Sequence, residues 1–163
     1  MEIQNPLWVF ALKVYAKPLV EKQLLELQTT FGLSINRILF AGWLATQNKA
    51  YQSEALEMSS AAQWQVKVTH PLRALRYQVR SECAENAALQ AFYKAMRQAE
   101  LHAEQVEIAY LYQLSLSWGE VDEAKMAEDL MLKNLCRVTQ AQGISDEKYD
   151  ILLFLSKEML SVG

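Results

Sequence analysis

Four cations with no acid among them, Lys67, Arg73, Arg76 and Arg80, make the segment from Met58 to Ser81 the strongest local charge feature of the sequence. At 100° per residue the three arginines fall within about 60° of one another on a helix, beside a stripe of Leu72, Leu75 and Val79. A guanidinium presents its donors as a planar fork that fits a carboxylate or a phosphate. Such a face has two uses. It can dock an acidic protein or a phosphate-bearing ligand, or it can brace an acidic element of its own chain. The second use has a ready counterpart, because Gln98 to Asp129 carries eight acids against one lysine. The segment is +4 in a chain of net charge −3, which leaves −7 elsewhere. Four cations are too few for a nucleic-acid partner, since that affinity scales with the number of phosphates neutralised.

Glu100, Glu104 and Glu107 repeat on one helix face like the carboxylate ladder of a di-iron bundle. Such a centre requires Glu-x-x-His pairs from two helices, yet Ala99 and Lys67 stand three before His102 and His70. The ladder therefore reads as a solvated acidic face and the two histidines as surface or loop-packing residues, with no metal and no cofactor. Gly-x-Ser-x-Gly, P-loop, Gly-x-Gly-x-x-Gly, His-Glu-x-x-His and Asp-Asp-x-x-Asp patterns are all missing, which disfavours the familiar enzyme classes. No catalytic residue is assigned. A weak enzyme with groups on distant helices is the last alternative. Cys83 and Cys136, 53 positions apart, form no Cys-x-x-Cys pair and read as buried thiols.

Asn36 and Arg37 are an unusual polar pair at the head of an otherwise apolar rod. In a structural role, Asn36 bonds a loop backbone and Arg37 reaches the surface or a carboxylate such as Glu21 or Glu26. In a functional role, they form a pocket with a cationic floor, flanked by Trp8, Tyr15, Phe40 and Trp43, for a small-molecule or lipid-like ligand.

The elements that position these groups are helices. Asn5-Pro6 is an N-cap followed by proline at the first helical position, and the apolar residues from Leu7 to Tyr15 cover almost the whole circumference, so this helix is expected to be largely buried. A second helix runs from Pro18 to Phe31 with Gly32 as its stop. Ser34 caps a third, Ile35 to about Gln47, whose run Ile38 to Ala45 is apolar on every side and belongs at the centre of a bundle. Ala41, Gly42 and Ala45 allow another helix to approach it closely. A helix from Ser53 to Trp64 follows, and Pro71 is expected to kink or end it. Next come an amphipathic helix from Leu72 to about Ser81 and a long one from Ala87 to about Leu116. The acids Glu120, Asp122 and Glu123 suit the start of a helix that runs to about Gln142, and Ser145 caps the last. No strand-like alternation occurs. The fold class is all-α, with seven or eight helices around a buried third helix.

At 163 residues, 52% of them hydrophobic and 21% charged, the chain is expected to fold as one domain over 1–163. The hexapeptide Met1 to Pro6 lacks the basic region and long apolar core of a secretory signal, which predicts a cytoplasmic protein. Its longest apolar run is eight residues, far below the roughly 18 of a membrane span, so no membrane association is expected.

Asn5-Pro6-Leu7-Trp8 with Phe10-Ala11 and Tyr15-Ala16, Asn36 before Leu39-Phe40 and Trp43-Leu44-Ala45, and Pro71-Leu72-Arg73 with Arg76 together resemble an uncharacterised bacterial family of about this length, a domain of unknown function. The resemblance spans nearly the whole chain. It implies a stand-alone, cytoplasmic, helical protein and no reaction. The leading expectation is a non-catalytic interaction domain whose basic face docks an acidic protein or phosphate-bearing partner. The apolar first helix or the long helix leaves a homodimer open.

Overall fold

The computed structural model describes residues 1–121, 127–139, 143 and 145–162, and every regular element among them is helical. Local chemistry sets the first boundaries. Asn5 Oδ1 accepts from the Trp8 N–H at 2.9 Å and Pro6 takes the first position of α1 (Pro6–Tyr15). A second proline opens α2 (Pro18–Phe31), which stops at Gly32. The φ of 66° there is a left-handed conformation that returns the Gly32 and Leu33 N–H groups to the carbonyls of Gln28 and Leu27. Ser34 Oγ accepts from the Arg37 N–H at 3.3 Å at the head of α3 (Ile35–Thr46).

The helix α3 buries Asn36 and every residue from Ile38 to Ala45. Gly42 is a point of close approach. A Cβ there would lie 2.4 Å from Met159 Sδ and 3.5 Å from Met131 Sδ, so the bare backbone is what lets α9 (Ala127–Thr139) and α10 (Asp146–Leu160) close on α3. Asn134 of α9 ties the same junction. Its amide donates to the carbonyls of Ala41 (3.2 Å) and Lys49 (2.9 Å), and its Oδ1 accepts from the Tyr51 N–H at 2.9 Å. For α9, the expected first turn at Asp122 and Glu123 and the expected end at Gln142 lie outside the described residues. The near-complete burial expected of α1 does not occur. Leu7, Phe10, Ala11 and Val14 are buried, but Val9 and Leu12 are exposed because the contacts of α1 with α8, α3 and α2 leave them uncovered.

Between α3 and the long helix the chain is more broken than its periodicity suggests. The segment expected as one helix from Ser53 to Trp64 is two, α4 (Ser53–Glu57) and α5 (Ser60–Trp64), because Ser59 Oγ accepts from the Ala62 N–H at 3.2 Å and starts a new helix. Pro71 does not end the segment. A single π-helical turn, Gln65–Thr69, leads into α6 (His70–Gln78), with the His70 N–H bonded to the Gln65 carbonyl five residues back. In a regular helix the Pro71 ring would press on the carbonyl of Lys67, and the wider turn relieves that clash. Next, α7 (Arg80–Glu85) and a 3-10 turn, Ala87–Leu89, reverse the chain into α8 (Gln90–Ser115). The Gln90 side-chain amide donates to the Cys83 carbonyl across that reversal.

Among the described residues the continuous apolar core has no member between Ala61 and Ile108. No residue of α6 is buried, and the first buried residue of α8 is Glu100. Thus α6, α7 and the first half of α8 form a helical arm on the body of the bundle. Among the described residues Cys83 is its one buried apolar side chain, so other contacts supply most of what holds it.

Candidate functional site

An ionic seam ties α6 to α8. Arg73 and Arg76 lie one turn apart on α6, Glu100 and Glu104 one turn apart on α8, and the two helices pack side by side. Arg73 Nε donates to Glu100 Oε1 at 2.9 Å while its Nη2 donates to Glu104. Arg76 Nη2 donates to Glu100 Oε1 at 3.2 Å, its Nε donates to Oε2, and its Nη1 reaches the Tyr93 hydroxyl at 3.3 Å. The Arg76 guanidinium also lies 4.5 Å from the centre of the Tyr77 ring. Burial raises the pKa of Glu100, but its bonds from Arg76 and Arg73 outweigh that and hold the carboxyl below its ordinary value.

The glutamate ladder is therefore not the solvated face its spacing suggests. Glu100 and Glu107 are buried, because α6 and the π-helical turn cover them. At Glu107 the coverage is complete. Gln65 Nε2 donates both to Glu107 Oε1 and to Ser34 Oγ, each at 2.9 Å. Neither Glu107 Oε2 nor Thr69 Oγ1 has a hydrogen-bond partner. Burial pushes Glu107 upward in pKa, with the smaller influences of neighbouring Thr69, Asn36, Arg37 and Arg73 opposing it. Burial pushes Glu104 up as well, against Arg73.

Beside the seam lies an open groove of about 1250 Å³. One wall is α1, α2 and the head of α3; the other is the arm. Along α8 it extends from Gln90 to Ile108, a rise of about 27 Å at 1.5 Å per residue. Exposed apolar side chains line it, among them Leu12, Leu25, Tyr77 and Leu101. Three exposed cations, Arg80, Lys94 and Arg97, line the stretch nearest the N-terminus of α8, and none has an ion pair or hydrogen bond among the described residues. Toward the other end stand Glu21, Glu104, Tyr15 and Asn36.

The groove brings together parts of two separately expected sets. From the basic face it takes Arg76 and Arg80; Arg73 is committed to the seam, and Lys67 is exposed on the π-helical turn outside the groove. From the aromatic set it takes Trp8, Tyr15 and Asn36. The other three are elsewhere. Phe40 is fully buried against Tyr51 and Trp118, with ring centres 6.2 and 5.5 Å away, and Trp43 packs on Tyr112 at 5.7 Å. Arg37 pairs with Glu57, not with Glu21 or Glu26, because the head of α3 turns it toward α4. Six residues of one expected pocket thus divide between groove, core and surface. Lys94 and Arg97 were not singled out by sequence reasoning; their one-turn spacing just ahead of the acidic stretch was the available signal.

Among the described residues no group of three His, Cys, Asp or Glu side chains is arranged to hold a metal ion. Burial, Arg73 and Arg37 all depress the pKa of His70. Cys83 is buried and Cys136 half-buried, and both are free thiols. No helix among the described residues is long and apolar enough to cross a membrane.

A family model described as a protein of unknown function, DUF2390, matches residues 6–111. That stretch contains every residue that lines the groove and both sides of the ionic seam. Comparison with curated proteins and comparison with solved structures each return no match.

Proposed function

We propose that this chain, which belongs to the DUF2390 family of proteins of unknown function, is a non-catalytic cytoplasmic binding module whose groove docks an acidic segment of a partner protein. The observation that carries this is the set of three cations, Arg80, Lys94 and Arg97, that have no ion pair or hydrogen bond among the described residues and line the same groove as exposed Leu12, Leu25 and Leu101. Exposed apolar side chains grouped in a concave surface mark interaction sites, and unpaired charge at their border steers a partner of opposite sign. Size favours a macromolecule over a metabolite. Small-molecule sites are clefts or cavities of roughly 300–1,000 Å³ that cover most of their ligand, whereas this groove exceeds that and is partly open to solvent. The arginines of the seam have a different task, which is to hold one wall in place.

The test is site-specific photo-crosslinking from Gln98, which lines the groove, with Met58, an exposed residue outside it, as the control position. Acidic segments captured from Gln98, not from Met58, and lost in an R80E/K94E/R97E variant of unchanged melting temperature, are the expected outcome. Equal capture by the wild-type protein and the triple variant would contradict the proposal.

A further inference from the structure

We infer that the occupant of this groove is an amphipathic helix of about five turns, acidic where it lies over Arg80, Lys94 and Arg97 and neutral or basic where it lies over Glu21 and Glu104. This rests on the proposed docking of an acidic protein segment and adds its conformation and charge order. Length and backbone chemistry decide the conformation. A groove of about 27 Å accepts about 18 helical residues. An extended segment would need only about eight residues, but its N–H and C=O groups require partners. Both walls here are helices, whose backbone groups are already paired, and no sheet edge exists among the described residues for a strand to join. A helix satisfies its own backbone and offers an apolar stripe to Leu12, Leu25, Tyr77 and Leu101. Ala84 and Ala91 on the arm wall leave room for close approach.

The charge order follows from the positions of the lining groups on α8. Lys94 and Glu104 are ten residues apart, about 15 Å along its axis. At the Lys94 end the positive N-terminus of α8 adds to the three cations. Glu100, the acid nearest to them on α8, is neutralised by Arg73 and Arg76. At the other end Glu21 is exposed and has no ion pair among the described residues, and Glu104 is shared with Arg73 alone. An acidic helix end is therefore attracted at one end of the groove and repelled at the other.

Fluorescence anisotropy with synthetic 18-residue probes tests both parts. The probes are stapled helices with leucine on one face, carrying four glutamates in one half and four lysines in the other, made with the acidic half at either terminus. A second, unstapled set of the same composition carries a central proline. A third stapled probe is acidic throughout. At least one half-acidic stapled probe is expected to bind, at least ten-fold tighter than its proline counterpart and tighter than the uniformly acidic probe. Binding is expected to fall at least ten-fold in R80E/K94E/R97E and in L101D, and E21K is expected to remove the preference for the half-acidic probe. R80Q/K94Q/R97Q serves if the reversed variant does not fold. Equal binding of the proline probes would overturn the helical occupant and leave the docking proposal standing. Equal binding of the uniformly acidic probe would overturn the charge order. If no probe binds, both inferences fall.

Discussion

Arg76 grips Glu100 on both carboxylate oxygens, Nη2 at 3.2 Å from Oε1 and Nε donating to Oε2, at a glutamate whose surface is only 6% exposed. With Arg73 on the same carboxylate, this pairing ties α6 to α8 where the apolar core is absent. Removing Glu100 leaves two guanidiniums largely buried without their shared partner, a change that in buried pairs costs 3–5 kcal/mol. Both arginines keep some solvent contact, with side chains 19% and 15% exposed, so E100A is expected to cost about 3 kcal/mol. E57A, which removes the 61%-exposed partner of Arg37, is expected to cost less than about 1 kcal/mol. Urea midpoints of the two variants measured together check the contrast.

The three glutamates of α8 carry opposite pH dependences. The Glu100 carboxyl titrates below its ordinary value, so its contribution to stability is complete above that value and is lost as pH falls through its depressed one. Glu107 titrates above its ordinary value, so its contribution is complete below that value and is lost as pH rises through its raised one. E107Q keeps an oxygen to accept from Gln65 and gains an N–H to offer Thr69 Oγ1. It is expected to raise the melting temperature at pH 7, with the gain shrinking toward pH 4. E100Q is expected to lower it at pH 7, and that loss shrinks on acidification. Melting curves from pH 3 to 8 distinguish the two.

A Cβ added at Gly42 would lie 2.4 Å from Met159 Sδ, so the methionine side chain would have to shift. Alanine is the better helix former by about 1 kcal/mol, while overpacking a closed core costs about 1–3 kcal/mol. G42A is expected to destabilise by about 1 kcal/mol net. In an M159A background, where the clashing sulfur is gone, the same substitution is expected to become stabilising. A double-mutant cycle in urea reads the change of sign.

Much of the body was legible in the sequence because its signals are local. Asn5-Pro6, Gly32 and Ser34 act within a few residues, and the run Ile38 to Ala45 has only a core to go to. The π-helical turn before Pro71 was not legible, since a kink, a stop and a widened turn all answer the same missing N–H. The seam was half legible. Arginines at 73 and 76 and acids at 100 and 104 announce a match, but sorting paired from unpaired cations depends on which face of α8 the arm covers. Lys94 and Arg97 stayed hidden because Glu82 and Glu85 dilute the charge between them and Arg80. Exposure of Leu12 on an apolar α1 is likewise a property of the groove and not of the helix.

An arm held by polar contacts opens more readily than a core helix. Amides of α6 and α7 are expected to exchange faster than those of α3 under native conditions, and E100Q is expected to accelerate the arm while leaving α3 protected. Hydrogen exchange read by mass spectrometry over peptides 66–85 and 35–46 checks this.

In the proposed division of labour among cations, Arg73 and Arg76 build the wall and Arg80, Lys94 and Arg97 face the partner. The most direct measurement sets R73E/R76E beside R80E/K94E/R97E and records the melt and the Gln98 crosslinks of each. The double reversal is expected to lower the melting temperature steeply; the triple reversal is expected to melt like the wild type and capture nothing. A double reversal that melts normally but loses capture, or a triple reversal that captures as the wild type does, would contradict it.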